Sequence, residues 1–297
     1  MSDIILLDGG IGQELVKRAG DPATPLWSTR VMMDQPDMVG EVHSDYFAAG
    51  ATVATTNTYA LHRSRLERAG LEDDLPALID IAVTQAEMAR SKHGGRIAGA
   101  LGPLYASYRP DLTPDPDDAA LKFRELVQLM TPHVDLFLIE TLSSLQEAEG
   151  ALRGTQDCGK PVWPALTVQD DDGTRLRSGE PLAEIAPLID RFRPEAVLLN
   201  CSRPEAITQG LDHLKPLGRP FGAYANGFTH ITQAFLQDAP TVDALEQRQD
   251  LTPAAYADFA MDWVEQGATI VGGCCEVGPA HIAELARRLR AADHRIV

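Results

Sequence analysis

Short apolar runs recur along the chain, at Ile4–Leu7, Ala51–Thr55, Arg96–Leu101, Val134–Ile139, Val162–Val168, Ala196–Leu199, Gly222–Tyr224 and Ala268–Val271. They are near-continuous rather than alternating, the pattern of strands covered on both faces. Most are separated by segments of helical period. Leu121, Leu126, Leu129 and Met130 fall on one helical face, as do Ile282, Leu285, Ala286 and Leu289 behind Pro279, a residue suited to a first helical turn. Strands alternating with helices predict a parallel sheet. Eight such units predict an α/β fold of the (β/α)8 TIM-barrel type, with an open doubly wound sheet as the alternative and the seventh run the weakest of the set. A barrel of this kind takes about 250 residues, so the 297 residues are expected to form one domain, 1–297. Two polar stretches interrupt the pattern. Arg109–Asp118 holds three prolines and four aspartates, and Gln169–Glu180 is the second; both read as surface loops.

Composition narrows the classes of function. Apolar residues make up 44% and charged residues 23%, an ordinary globular balance. Lys and Arg number 26 against 43 Asp and Glu, a formal charge of −17. Such a surface repels phosphate backbones, so no nucleic-acid partner is expected. No apolar run approaches the roughly 20 residues that span a bilayer, and MSDIILLDGG lacks the basic start of a signal peptide. Four cysteines are too few for a disulfide scaffold, which points to a cytoplasmic protein with reduced thiols. Oligomeric state is not readable, and a homo-oligomer stays open.

In a barrel, chemistry collects at the C-terminal ends of the strands. The residues following the runs are therefore the informative ones: Asp8-Gly9-Gly10, Asn57 after Thr55-Thr56, Glu140-Thr141, Asn200-Cys201, and Gly272-Gly273-Cys274-Cys275. Two carboxylates, two asparagines and three cysteines would share one rim. Cys201, Cys274 and Cys275 could meet there despite their separation along the chain. Thiolates suit zinc, and three protein ligands leave one tetrahedral position for a substrate. The alternative is three inert buried thiols. Cys158 lies in a polar stretch and reads as a bystander.

Gly10-x-Gly12 starts like a dinucleotide fingerprint, but Leu15 stands at the third glycine, which argues against an oxidoreductase. Glycines between a strand and a helix can instead cradle an anion on backbone N–H groups. Asp8 and Glu140 could then hold an ammonium, and an anion cradle beside paired carboxylates describes an amino-acid pocket. Trp27, Tyr59, Tyr105 and Tyr224 flank strand ends. Aromatic faces bind methylated cations, although packing is the commoner role. His43 reads as structural, and Arg63–Arg68 as a solvated helix face.

Together these segments resemble the homocysteine S-methyltransferases, the family that includes betaine–homocysteine methyltransferases and the homocysteine domain of methionine synthase. The resemblance runs through LLDGGIGQEL, VHSDYFAAGATVATTNTY, GALGPL, DLFLIET, LLNCS and IVGGCCEVGPAHI. It implies a (β/α)8 barrel, zinc on Cys201, Cys274 and Cys275, and homocysteine at the open position. Asp8, Gly9, Gly10, Glu140 and Asn200 would contact that substrate. The methyl donor would be a sulfonium, S-methylmethionine or S-adenosylmethionine, with methionine as product. Betaine or dimethylsulfoniopropionate as donor, a different thiol or selenol acceptor, and a zinc-binding, thiol-sensing barrel without turnover are the alternatives. One departure stands out: the family commonly continues Cys-Cys-Gly-Thr, whereas Glu276-Val277 follows here, placing a carboxylate near the metal.

Overall fold

A computed structural model describes residues 2–20, 26–237 and 241–297. Nine strands form one parallel sheet. They are β1 (Asp3–Leu6), β2 (Val53–Thr55), β3 (Arg96–Leu101), β4 (Leu136–Leu142), β5 (Val162–Leu166), β6 (Val197–Asn200), β7 (Phe221–Tyr224), β8 (Ile270–Val271) and β9 (Arg295–Ile296). The order is β2-β3-β4-β5-β6-β7-β8-β1-β9. A parallel bridge joins Leu7 to Val53, and the Asp8 N–H donates to the Val53 carbonyl at 3.1 Å, linking the β1 end of this order to β2. All eight predicted runs supply a strand. The ninth was not foreseen: Arg295 and Ile296 pair with Asp3 and Ile4 on the outer side of β1.

Both faces of the sheet are buried, as the unbroken apolar runs predict. Successive side chains of β4 divide between two packs. Leu136 and Leu138 join Leu7, Val53, Trp163, Leu198 and Ile270, whereas Phe137 and Ile139 join the larger core against the helices. The period-2 alternation of a strand, with an apolar residue at every position, produces this two-sided burial.

The helices are set by local signals. Asp115 caps helix Pro116–Met130, its carboxylate accepting from the Asp117 and Asp118 amides, so the last residues of the expected 109–118 loop are helical. Helix Pro279–Ala291 buries Ile282, Leu285, Ala286 and Leu289, as the period predicts. One expected core position is corrected: Leu121 is 65% exposed. The buried stripe of that helix instead runs through Ala119, Ala120, Phe123, Leu126, Val127 and Met130, with Leu129 at its edge. Residue 121 precedes Phe123 by about 200° of helical turn, which puts it on the opposite side.

Candidate active site

The strand ends do converge. The Sγ atoms of Cys201, Cys274 and Cys275 all lie within 4.8 Å of one another, the only such metal-competent cluster among the described residues. Cys201 and Cys275 are 3.9 Å apart, and Cys274 and Cys275 4.0 Å. A tetrahedral zinc with bonds of about 2.3 Å requires sulfurs roughly 3.8 Å apart, so the donor set fits that ion in both chemistry and spacing. The backbone fixes the cluster. Cys201 N–H donates to the Tyr224 carbonyl at 3.2 Å, Cys274 N–H to Ala225 at 2.9 Å, and Gly227 N–H to the Cys275 carbonyl at 2.8 Å. The ends of β6, β7 and β8 are thereby stitched together around the sulfurs.

Gly9 and Gly273 explain the glycines of the two flanking turns. A Cβ at Gly9 would stand 2.0 Å from the Val277 carbonyl oxygen, and one at Gly273 2.1 Å from Val277 Cγ1. The β1 and β8 turns touch too closely for any side chain. Tyr46 ties the same contact from below, its hydroxyl donating to the Val277 carbonyl at 3.0 Å.

The carboxylates lie beside the sulfurs. Asp8 accepts from the Thr55 amide at 2.7 Å and from the Thr55 hydroxyl, and burial pushes its carboxyl up to about 7. Burial first, and then the neighbouring Cys201 and Asp8 charges, push Glu140 up to about 8. The buried Tyr224 hydroxyl, its neighbour, has no well-formed hydrogen bond among the described residues. Two carboxyls that resist ionisation are poised to accept a cation.

Glu140 does not follow its strand, as the sequence suggested, but lies within it. The β4–β5 register runs Ile139 with Pro164 and then Leu142 with Leu166, so β4 carries one extra residue at Glu140-Thr141. Thr141 takes a left-handed φ of 62° there. Such a bulge re-aims a side chain, and Asn200 holds it: Oδ1 accepts from the Thr141 amide at 2.9 Å and Nδ2 donates to its hydroxyl at 3.2 Å. Asn200 is fully buried and outside the cavity wall. Its two polar groups hold the Thr141 backbone and hydroxyl next to Glu140.

The cavity over this cluster has a volume of about 90 Å³. One water-sized group needs roughly 10–15 Å³, so a small molecule of several heavy atoms fits. Gly9, Gly10, Thr55, Asn57 and Glu140 line one part. Of the two amides expected to cradle a carboxylate, that of Gly10 has a backbone partner, the Val277 carbonyl at 3.0 Å. Gly12 and Gln13, in the first turn of helix Ile11–Ala19, border the cavity, and their amides belong to the N–H groups that a helix leaves without intrahelical partners.

The other wall is aromatic. Trp27 stacks on Tyr59 at 6.2 Å and meets Phe235 at 5.9 Å, and Tyr108 meets Phe235 edge-on at 6.0 Å. Phe228 and Leu245 complete it. Tyr108, Phe228, Phe235 and Leu245 escaped sequence reasoning because they lie in loops without periodicity; aromatic residues within otherwise polar loops were the available signal. Tyr105 faces outward at 36% exposure. Left-handed φ values at Trp27, Tyr108, Thr141, Cys201 and Glu276 concentrate at this rim, where strained backbone commonly accompanies function.

Other expectations are corrected or confirmed by position. Glu276 is outside the wall of this cavity: it accepts from Gln13 Nε2 at 2.9 Å and lines an adjoining outer cavity, while its charge still reaches Cys275. Arg65 leaves the solvated face, donating to the Pro103 carbonyl at 2.9 Å beneath the Tyr59 ring, while Arg63 and Arg68 stay exposed. His43 is buried, and burial holds it down at about 4, a neutral core imidazole. Cys158 sits at the opposite end of β5, donating to the Lys160 carbonyl at 3.5 Å.

Residues 5–289 match the homocysteine S-methyltransferase family. The chain belongs to that family. A homocysteine S-methyltransferase of Escherichia coli (strain K12) is 32% identical over 306 residues, covering 96% of this chain and 95% of that one. One from Bacillus subtilis (strain 168) is 27% identical over 311 residues, covering 97% and 95%. Among solved structures, the metallated form of the homocysteine methyltransferase MmuM from Escherichia coli superposes with a TM-score of 0.81 at 29% identity, covering 97% and 96% of the two chains. The protein is accordingly a homocysteine S-methyltransferase, and the sulfur cluster, carboxylates and aromatic wall are its candidate machinery. No helix among the described residues is long and apolar enough to cross a membrane.

Proposed function

We propose that this homocysteine S-methyltransferase uses zinc, held by Cys201, Cys274 and Cys275, and takes its methyl group from a sulfonium donor, S-methylmethionine or S-adenosylmethionine, giving methionine. The supporting observation is the juxtaposition of three sulfurs within 4.8 Å with a cavity lined by Glu140 on one side and by aromatic rings on the other. We take the sheet to be a closed (β/α)8 barrel in a single domain, with the Leu7–Val53 bridge as its closing contact and β9 added outside.

When bound, zinc keeps a coordinating thiol deprotonated at neutral pH. The chain's own groups do the rest. Asp8 and Glu140 take the homocysteine ammonium, which supplies the positive charge that their burial lacks. The first-turn amides of Gly12 and Gln13 take its carboxylate, favoured by the positive end of the helix. Thr55 holds the Asp8 carboxylate, and Asn200 holds the Thr141 bulge beside Glu140. Trp27, Tyr59 and Phe235 offer ring faces to the onium methyl group and exclude water. In the transfer, the homocysteine sulfur forms a bond to the methyl carbon as the donor's carbon–sulfur bond breaks in line. Two neutral thioethers result, and the thiol proton leaves to solvent. Charge disappears in this step, so a dry, oriented site favours it over bulk water.

Methionine formation from L-homocysteine is the test, with S-methylmethionine, S-adenosylmethionine, betaine and dimethylsulfoniopropionate offered in turn to zinc-loaded protein. Turnover with a sulfonium donor is expected. Cys274→Ala should lose bound zinc and turnover together; zinc-dependent turnover surviving in that variant would sink the assignment.

A further inference from the structure

Two of the five aromatic side chains of the wall, Phe228 and Phe235, are carried by the segment after β7, and charged side chains without a place in methyl transfer grip that segment from two neighbouring loops. We propose that Arg177 is a positioning residue: paired with Asp170 and laid over Tyr108, it fixes residues 228–236 as a lid whose Phe228 and Phe235 complete the donor half of the pocket. The Arg177 guanidinium meets Asp170 at 2.7 Å, with each side chain only 11% exposed. The second Asp170 oxygen accepts the Ile231 amide at 2.8 Å, which anchors the start of the lid. The guanidinium lies 5.1 Å from the Tyr108 ring centroid. Tyr108 in turn donates to the Cys201 carbonyl at 3.3 Å and packs edge-on against Phe235. Arg109, the next residue, holds the far end of the lid through the Leu236 carbonyl at 2.5 Å.

One nearly buried ion pair therefore joins the loops after β3, β5 and β7 at the wall above the sulfurs. Such a pair contributes little net stability, since an apolar pair of similar volume often packs as well. An apolar pair could not, however, hold the Ile231 amide or press a cation on Tyr108. Geometry is what the pair supplies, and that geometry reaches the aromatic wall and not the Asp8–Glu140 side.

The inference rests on the donor reading above, so its test carries a readout independent of turnover. In zinc-loaded full-length protein, Arg177→Met keeps the stem and removes the charge, while Arg177→Lys keeps the charge without the fork. Hydrogen exchange at the amides of 228–236 should quicken by about tenfold in Arg177→Met, with helix Pro116–Met130 unchanged. The donor KM should rise about tenfold, while zinc content and the homocysteine KM move less than about twofold, since small misplacements cost reactivity steeply. Arg177→Lys should regain most of the exchange protection. Unchanged exchange across 228–236 overturns the strut. Equal movement of both KM values overturns its confinement to the donor half. If the parent protein turned over no donor, the functional reading would fall, and the exchange arm alone would still decide the strut.

Discussion

Glu140 carries the sharpest conflict between stability and function. Its carboxyl is pushed up to about 8 in the folded protein, against an ordinary value of 4.5. The folded state therefore binds this proton more tightly than the unfolded chain does. The penalty is absent below about pH 4.5, grows as pH rises, and levels off above about 8. Glu140→Gln should accordingly stabilise the unliganded protein at pH 7 by roughly 2–3 kcal/mol. The gain should vanish toward pH 4.5 while homocysteine affinity collapses at every pH. Thermal unfolding across pH with and without homocysteine checks both halves, and a variant that is less stable than the parent at pH 7 would contradict the burial argument. Asn200 shows why residue type alone misleads at this scale. Its position at a strand end suggested a substrate contact, but a bulge in β4, two strands over, claims both of its polar groups.

Among the elements, helix Pro116–Met130 offers the clearest comparison of buried and exposed apolar residues. Phe123 is fully buried, its ring edge-on to His62 at 5.7 Å. Phe123→Ala should cost about 3–5 kcal/mol by the usual cavity penalty. Leu121→Gln, three-fifths exposed or more, should stay within about 0.5 kcal/mol of the parent. Denaturant titration of the two variants measures this directly; similar losses in both would mean that the Leu121 face is covered. The period of 3.6 placed most of this helix correctly, and failed at Leu121 because a four-residue apolar list tolerates one member on the wrong side. Strand β4 failed differently: its extra residue leaves no mark in hydropathy, since Glu140-Thr141 reads as the end of an apolar run.

Over the whole molecule, the formal charge of −17 becomes a kinetic quantity. An acidic surface draws in a donor with net positive charge, such as S-methylmethionine, and is indifferent to a zwitterion. Raising salt from about 0.01 M to 1 M shortens the screening length from roughly 30 Å to 3 Å. Over that range kcat/KM for S-methylmethionine should fall severalfold while the homocysteine KM stays flat. A salt-independent kcat/KM would show that the charge lies too far from the cavity mouth to steer the donor. The same scale explains why β9 was missed. Two residues, Arg295 and Ile296, become a strand only because β1 presents an unpaired edge beside them.

The parallel α/β architecture and the three cysteines on one rim were legible in the chain, since unbroken apolar runs require burial on both faces and polar residues directly after them have only the strand ends to occupy. The aromatic lid, the bulge that turns Glu140 inward, the retreat of Glu276 to an outer cavity and the Arg177–Asp170 strut were not. Each depends on contacts between loops distant in sequence, where no period operates and where a hydrogen bond to a particular backbone group, rather than hydropathy, fixes the side chain.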